Sequence, residues 1–211
     1  LFMTVLFLNR MGQKYNRQDW ISESIHQVLL HIKYLYDKKT GLFYHGWTFN
    51  TRDNFGGVFW CRGNSWFTTG ILEYLEMFKG SLDAGVREFI VNTYKSQVRT
   101  LKKLQSQSGL WHTVLDDPAS YEEVSGSAAI TAGILKGIKL GILDDSYLDC
   151  AWKGVRAVMN NIDEEGTVLN VSGGTGMGAD REHYKKILIA PMAYGQSLTI
   201  LALIQALDNL K

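Results

Sequence analysis

The stretch Phe59–Trp66 reads FWCRGNSW and holds two tryptophans six positions apart, with an arginine, a glycine and an asparagine between them. Trp60 and Trp66 offer flat apolar faces, and Arg62 offers a fixed cationic fork that matches a carboxylate. Gly63 lets the backbone turn tightly where a loop hands over to a helix. Such a set suits a ligand that combines a ring with a carboxylate, as a sugar acid does. The same residues also satisfy a purely structural reading, with both indoles in the core and Arg62 paired to a structural carboxylate.

Other groups capable of chemistry gather on three loops. The first carries His45, Trp47, Arg52, Asp53 and Asn54; the second carries Trp111, His112, Asp116 and Asp117; the third carries Gly173, Gly174, Gly176 and Gly178 with Asp180, Arg181 and His183. The glycine run lacks the spacing and the preceding strand of a nucleotide-binding fingerprint, so no nucleotide cofactor is expected. His45, His112 and His183 sit on different loops without ligand spacing, so no metal site is expected. No nucleophile elbow, Ser–His–Asp order or paired cysteine motif is present. Taken singly, Trp47 and Trp111 read as plugs, Asp116 and Asp117 before Pro118 as turn formers, and Asp53 as a solvated turn residue. The functional reading is collective: imidazole, indole and carboxylate groups recur at equivalent loop positions and should converge in space.

The elements that must position them are helices. Apolar residues at helical spacing predict helices over Leu1–Met11 (stopped by Gly12), Asp19–Tyr36, Asn64–Phe78, Ala84–Leu104, Val124–Leu140, Ser146–Asn160 and Met192–Leu210. A loop signature returns between them: Gly41-Leu42-Phe43-Tyr44, then Gly109-Leu110-Trp111-His112 after 68 residues, then Gly166-Thr167-Val168-Leu169 after 57. Each copy precedes a small-residue helix that should face inward, and an amphipathic helix that should form an outer wall follows the first two. A period of about 60 with two helices per unit predicts stacked helical hairpins. The fold class expected is all-α, an (α/α)6 toroid, with Gly70, Gly126, Gly133, Gly137 and Gly195 allowing close approach between helices. Seven helices, four inner and three outer, make residues 1–211 a single domain. They correspond to the C-terminal part of a six-hairpin barrel of roughly 350 residues.

Composition narrows the class further. The chain of 211 residues is 45% hydrophobic and 20% charged with a net charge of +1, so it is globular and carries no basic block for nucleic acid or anionic membranes. The apolar segment Leu1–Leu8 has no basic region before it and reads as helix rather than leader, and no run reaches membrane-span length. Cys61 and Cys150 show neither metal nor disulfide spacing, which predicts reduced thiols in a cytoplasmic protein. The oligomeric state is left open.

The strings GLFYHGW, FWCRGNSW, GLWHTVLDD, SGSAAITAGILKGIKLG and VSGGTGMG followed by PMAYGQSL resemble the unsaturated glucuronyl and rhamnogalacturonyl hydrolases of glycoside hydrolase families 88 and 105, family 105 more closely. The resemblance runs over essentially the whole chain and implies a six-hairpin toroid that needs no cofactor. It implies as substrate a small lyase-generated oligosaccharide with a 4,5-unsaturated uronic acid at its non-reducing end. Cleavage then proceeds by protonation of the vinyl ether, addition of water at carbon 5 and collapse of the hemiketal, outside the usual two-carboxylate scheme. By the same resemblance Trp60, Arg62, Gly63, Asn64 and Trp66 match the family's Trp-x-Arg-Gly-Asn-x-Trp motif. Trp66 would be the ring platform, and Arg62 would position the acid or the uronate. His45 and Trp47 match an earlier loop motif, and Trp111 and His112 the Gly-Leu-Trp-His motif. Asp53 is the expected catalytic acid, kept protonated by a desolvated pocket. It lies seven residues before Trp60, farther than the family pattern, and a second family aspartate would fall before Leu1. Two other readings fit the residues: a sugar epimerase or isomerase on a similar toroid, or a carbohydrate-binding fragment without turnover.

Overall fold

In a computed structural model the chain is described over residues 2–210; Leu1 and Lys211 lie outside the described residues, and with them the first residue of the expected N-terminal helix. The principal helices are α1 (Phe2–Lys14), α2 (Gln18–Leu35), α3 (Cys61–Met77), α4 (Ala84–Leu104), α5 (Val124–Lys139), α6 (Leu148–Met159) and α8 (Ala193–Asp208), with a short α7 (Arg181–Lys185) in the third loop. Two-residue strands β1 (Trp111–His112) and β2 (Glu122–Glu123) pair antiparallel within the second loop. The mostly helical architecture agrees with the expected class, and all seven expected helices are present.

The inner row runs α1, α3, α5, α8, each helix packed on the next, while α2, α4 and α6 pack behind α1, α3 and α5. Small residues set the spacing. A Cβ on Gly133 of α5 would lie 2.6 Å from the Thr68 carbonyl oxygen of α3, and one on Gly195 of α8 would lie 2.4 Å from Val171. Gly137 instead makes room for an outer-wall residue, since its Cβ would meet the Tyr94 hydroxyl of α4. The main core gathers Phe67, Leu72, Tyr74, Ile90, Tyr94 and Ile134 from inner and outer helices with Phe43 and Trp111 from the loops. At the two ends of the row apolar side chains stay exposed: Met3 and Phe7 on α1, and Ile200, Ile204 and Leu207 on α8.

Two helix boundaries differ from expectation. Gly12 does not stop α1, which continues to Lys14; glycine is used there because a Cβ would lie 2.8 Å from Ile21 of α2. Helix α3 begins at Cys61 with Trp60 as its N-cap residue, so the FWCRGNSW motif is the helix start itself. Both α1 and α2 bury only one stripe.

The repeated loop signature has one physical meaning in all three copies. Gly41, Gly109 and Gly166 have φ of +79°, +99° and +82°, the left-handed region that favours glycine. Each donates its N–H backward, to the carbonyls of Asp37, Ser106 and Asp163. The residue two positions on, Phe43, Trp111 or Val168, is then driven into the core. The turn therefore returns the chain from an outer helix toward the next inner one, three times.

Candidate active site

The buried centre of the loop end is Arg62. Its guanidinium donates to Ser125 Oγ (3.0 Å), Ser172 O (3.0 Å) and Ser172 Oγ (2.6 Å) through one terminal nitrogen, and to Gly173 O (2.8 Å) and Thr175 Oγ1 (3.2 Å) through the other. Glu123 Oε1 stands 3.5 Å away, with both side chains almost wholly buried. The guanidinium carbon lies 4.6 Å from the ring centre of Trp60 and 4.6 Å from that of Tyr194. Glu123 is equally occupied: it caps α5, accepting from Ser125 N (2.9 Å) and Gly126 N (2.6 Å), and also from Ser172 N (3.1 Å). A carboxylate at the start of a helix is held by the free N–H groups and the dipole. In this arrangement Arg62 acts as a clamp between loop and helix. Both terminal nitrogens are spent on the glycine-rich loop and α5, and the structural carboxylate is Glu123.

Asn64 is likewise a fastener. Its side-chain oxygen accepts from Phe43 N (2.8 Å) and its Nδ2 donates to Phe43 O (2.8 Å) and Trp60 O (3.0 Å), so a side-chain amide completes the backbone pairing of the first loop. Trp111 is fully buried in the core and its Nε1 donates to Leu101 O (2.7 Å). Trp66 is half-buried against Leu110, Val124 and Ala128 and their neighbours. Trp47 packs on Tyr34, with ring centres 5.1 Å apart, and lines a cleft of about 350 Å³ with His31, Gln27 and Phe49. It thus faces α1 and α2, not Arg62.

Asp53, the expected acid, sits in a turn of the first loop. It is exposed, forms a bridge with Thr48 across a tight turn, and its Oδ1 accepts from Phe55 N at 3.0 Å. The turn reading fits its geometry.

What does converge is a group of rings from separate loops. His45 lies against Trp60 (ring centres 4.4 Å apart) and its Nδ1 is 2.6 Å from the hydroxyl of Tyr184. Tyr184 is fully buried on α7, with Trp60, Val58 and Val114 around it, and His183 stands edge-on to its ring. Burial, then the nearby charges of Arg62 and His183, push the His45 pKa down to about 4. The imidazole is therefore neutral at ordinary pH, and its second nitrogen makes no hydrogen bond to any described residue. Beside it, Trp60 forms an isolated bridge with Val114, two residues past β1, which brings the hairpin bearing His112 alongside. His112 Nδ1 bonds the Ser120 carbonyl (2.5 Å), which fixes Nδ1 as the protonated nitrogen and Nε2 as the acceptor.

The first and third loops dock tightly. A Cβ on Gly46 would lie 1.7 Å from Met177 Sδ, and one on Gly56 2.4 Å from Gly178 O. Helix α7 is clamped to the second loop by Arg181–Asp116 (2.5 Å) and Lys185–Asp117 (2.7 Å). The two aspartates read as turn formers are thus also the anchors of α7. Sequence reasoning missed Glu123, Tyr184 and Tyr194. The sign for Glu123 was its place directly before a Val-Ser-Gly-Ser helix start; Tyr184 had none, because a five-residue helix in a glycine-rich loop shows no periodicity. Among the described residues no cluster of three His, Cys, Asp or Glu side chains could hold a metal ion, and no helix is long and apolar enough to cross a membrane.

Known proteins agree with this architecture. The unsaturated rhamnogalacturonyl hydrolase YesR of Bacillus subtilis is 33% identical over 205 residues, covering 96% of this chain and 57% of that protein. An unsaturated 3S-rhamnoglycuronyl hydrolase of Formosa agariphila is 29% identical over 81% of this chain and 48% of its own length. A crystal structure of a possible member of the GH105 family from Salmonella enterica superposes with a TM-score of 0.96 at 41% identity, over 99% of this chain and 55% of that one. The chain thus spans about half the length of the relatives it matches. The model of Glycosyl Hydrolase Family 88 matches residues 1–210, and the chain belongs to that family.

Proposed function

We propose that this chain carries the sugar-recognising face of a hydrolase that releases a 4,5-unsaturated uronic acid from lyase-generated oligosaccharides of the pectin and rhamnogalacturonan type. The observation that carries the reading is the meeting of His45, Trp60, Tyr184 and His183 from two different loops and a helix start, within a chain of this family. A neutral imidazole with a free nitrogen suits a hydroxyl or carboxylate oxygen of a sugar acid, and His112 supplies a second imidazole on the neighbouring hairpin. Arg62 and Asn64 serve by holding the loops that carry these groups. Trp66 and Trp47 are candidates for ring contacts at the margins.

The reaction is hydration of the vinyl ether: a proton is delivered to the double bond, water adds at carbon 5, and the hemiketal opens to release the next sugar. Asp53, on the first loop, is the candidate proton donor that the family resemblance indicates. The unpaired, buried Cys61 and Cys150 suit a reducing compartment, and on that basis we place the protein in the cytoplasm.

The test is spectrophotometric. Full-length protein bearing this chain, incubated with lyase digests of rhamnogalacturonan, other pectins, ulvan and glycosaminoglycans, should bleach the ultraviolet band of the conjugated uronate in at least the first. Unchanged absorbance on every digest removes the reading.

A further inference from the structure

We infer that Tyr184 is a positioning residue that locks His45 in one tautomer, with the proton on Nε2, so that the imidazole meets its ligand as a hydrogen-bond donor to an oxygen. The inference starts from the Tyr184 hydroxyl, which has two partners: Gly178 N–H donates to it at 3.2 Å, and His45 Nδ1 stands 2.6 Å away. A backbone N–H can only donate, so the hydroxyl oxygen is the acceptor in the first contact. Its single proton then has one possible acceptor among the described residues, the lone pair of His45 Nδ1. The opposite arrangement, Nδ1–H donating to the oxygen, would leave the proton of a wholly buried phenol with no acceptor. An unsatisfied buried donor of that kind is strongly disfavoured.

The surroundings hold this relay in place. Gly178 has no Cβ because one would lie 2.2 Å from the His183 ring, so the N–H can sit directly beneath the hydroxyl. Asp180 caps the helix by accepting from His183 N (2.9 Å), and the ion pairs from Asp116 and Asp117 pin its two ends. His45 Nε2 is left without a partner yet is not one of the sealed, unpartnered atoms. With Nδ1 receiving and Nε2 protonated, the ring selects acceptor oxygens: the carboxylate or a hydroxyl oxygen of a uronate, the ligand class of the proposed function, on which this last step rests. His112 carries the opposite tautomer, so the two imidazoles offer one donor and one acceptor.

The experiment is nitrogen NMR of full-length protein labelled at histidine, with the His45 signals identified by their loss in His45→Gln. The inference expects Nε2–H with a bare, hydrogen-bond-accepting Nδ1 in the unmodified protein, and a mixture with Nδ1–H in Tyr184→Phe. The same variant should lose about tenfold in kcat/KM in the bleaching assay, as expected for one hydrogen bond to substrate. An Nδ1–H tautomer in the unmodified protein overturns it, and so does a Tyr184→Phe spectrum unchanged at His45. The first result needs no variant, so a poorly folding mutant does not shield the inference. The Nε2–H tautomer together with no bleaching on any digest would instead remove the proposed function and leave the positioning role standing.

Discussion

Arg62 and His45 both lie against Trp60, and they do opposite work. Arg62 spends both terminal nitrogens on serine, threonine, backbone carbonyls and Glu123, none of which is free to leave. His45 touches one hydroxyl and keeps a nitrogen in reserve. By residue type the arginine is the better ligand for a uronate, yet the structure uses it as a clamp for the glycine-rich loop. A buried charge must be matched on all sides to persist, so the more completely it is matched the less it can offer a substrate. The neutral ring carries no such demand and can present an unpaired edge.

The largest effect expected from breaking this contrast is on the clamp. Arg62→Leu leaves Glu123 buried without its cation and should cost about 3–5 kcal/mol in thermal or denaturant unfolding. The double variant Arg62→Leu, Glu123→Leu should lose less than the sum of the two single changes, and strict additivity would show that the pair is not coupled. Next in size is Asn64→Ala, which strands the buried N–H of Phe43 and should cost about 1–3 kcal/mol; an unfolding midpoint equal to that of the parent would remove the fastener role.

At the open edge the order reverses. His45→Ala strands the buried Tyr184 hydroxyl and should cost about 1–3 kcal/mol in stability, and it should lower kcat/KM for bleaching by roughly 10- to 100-fold, the value of one hydrogen bond to a charged oxygen. Acid should act through two half-buried imidazoles. Burial holds His31 at about 3 and His45 at about 4, below the unfolded value of 6.5, so on acidification the unfolded chain takes up protons first. The stability they confer is complete above pH 6.5 and falls from there toward pH 4 for His45, and toward pH 3 for His31. His31→Phe should flatten the lower part of a plot of unfolding midpoint against pH. The smallest effect on stability belongs to Asp53→Asn, which should change it by about 0.5 kcal/mol or less while abolishing bleaching. Bleaching near that of the parent would remove Asp53 as the acid.

The fold was legible because its rules are local. Seven helices follow from apolar spacing, and the three left-handed glycines show in sequence as a repeated Gly-x-aromatic or Gly-x-Val string. Position within the site was much less legible. The two halves of FWCRGNSW look alike as chemistry, but starting α3 at Cys61 sends Asn64 to the Phe43 backbone and Arg62 toward α5. Trp111 and His112 are neighbours on a strand, so they point to opposite faces: one enters the core and the other does not. Trp47 and Asp53 take their places from a loop that folds back as a tight turn over α2.

By itself the sequence determined the helical class, the hairpin period and the residue types available for sugar chemistry, since periodicity and turn conformation act within a few residues. Which groups are spent and which remain free was decided only by tertiary structure. Arg62 with Ser172, and His45 with Tyr184, are 110 and 139 residues apart. Hydrogen bonding saturates, so a group's availability depends on partners that only the folded chain brings within reach.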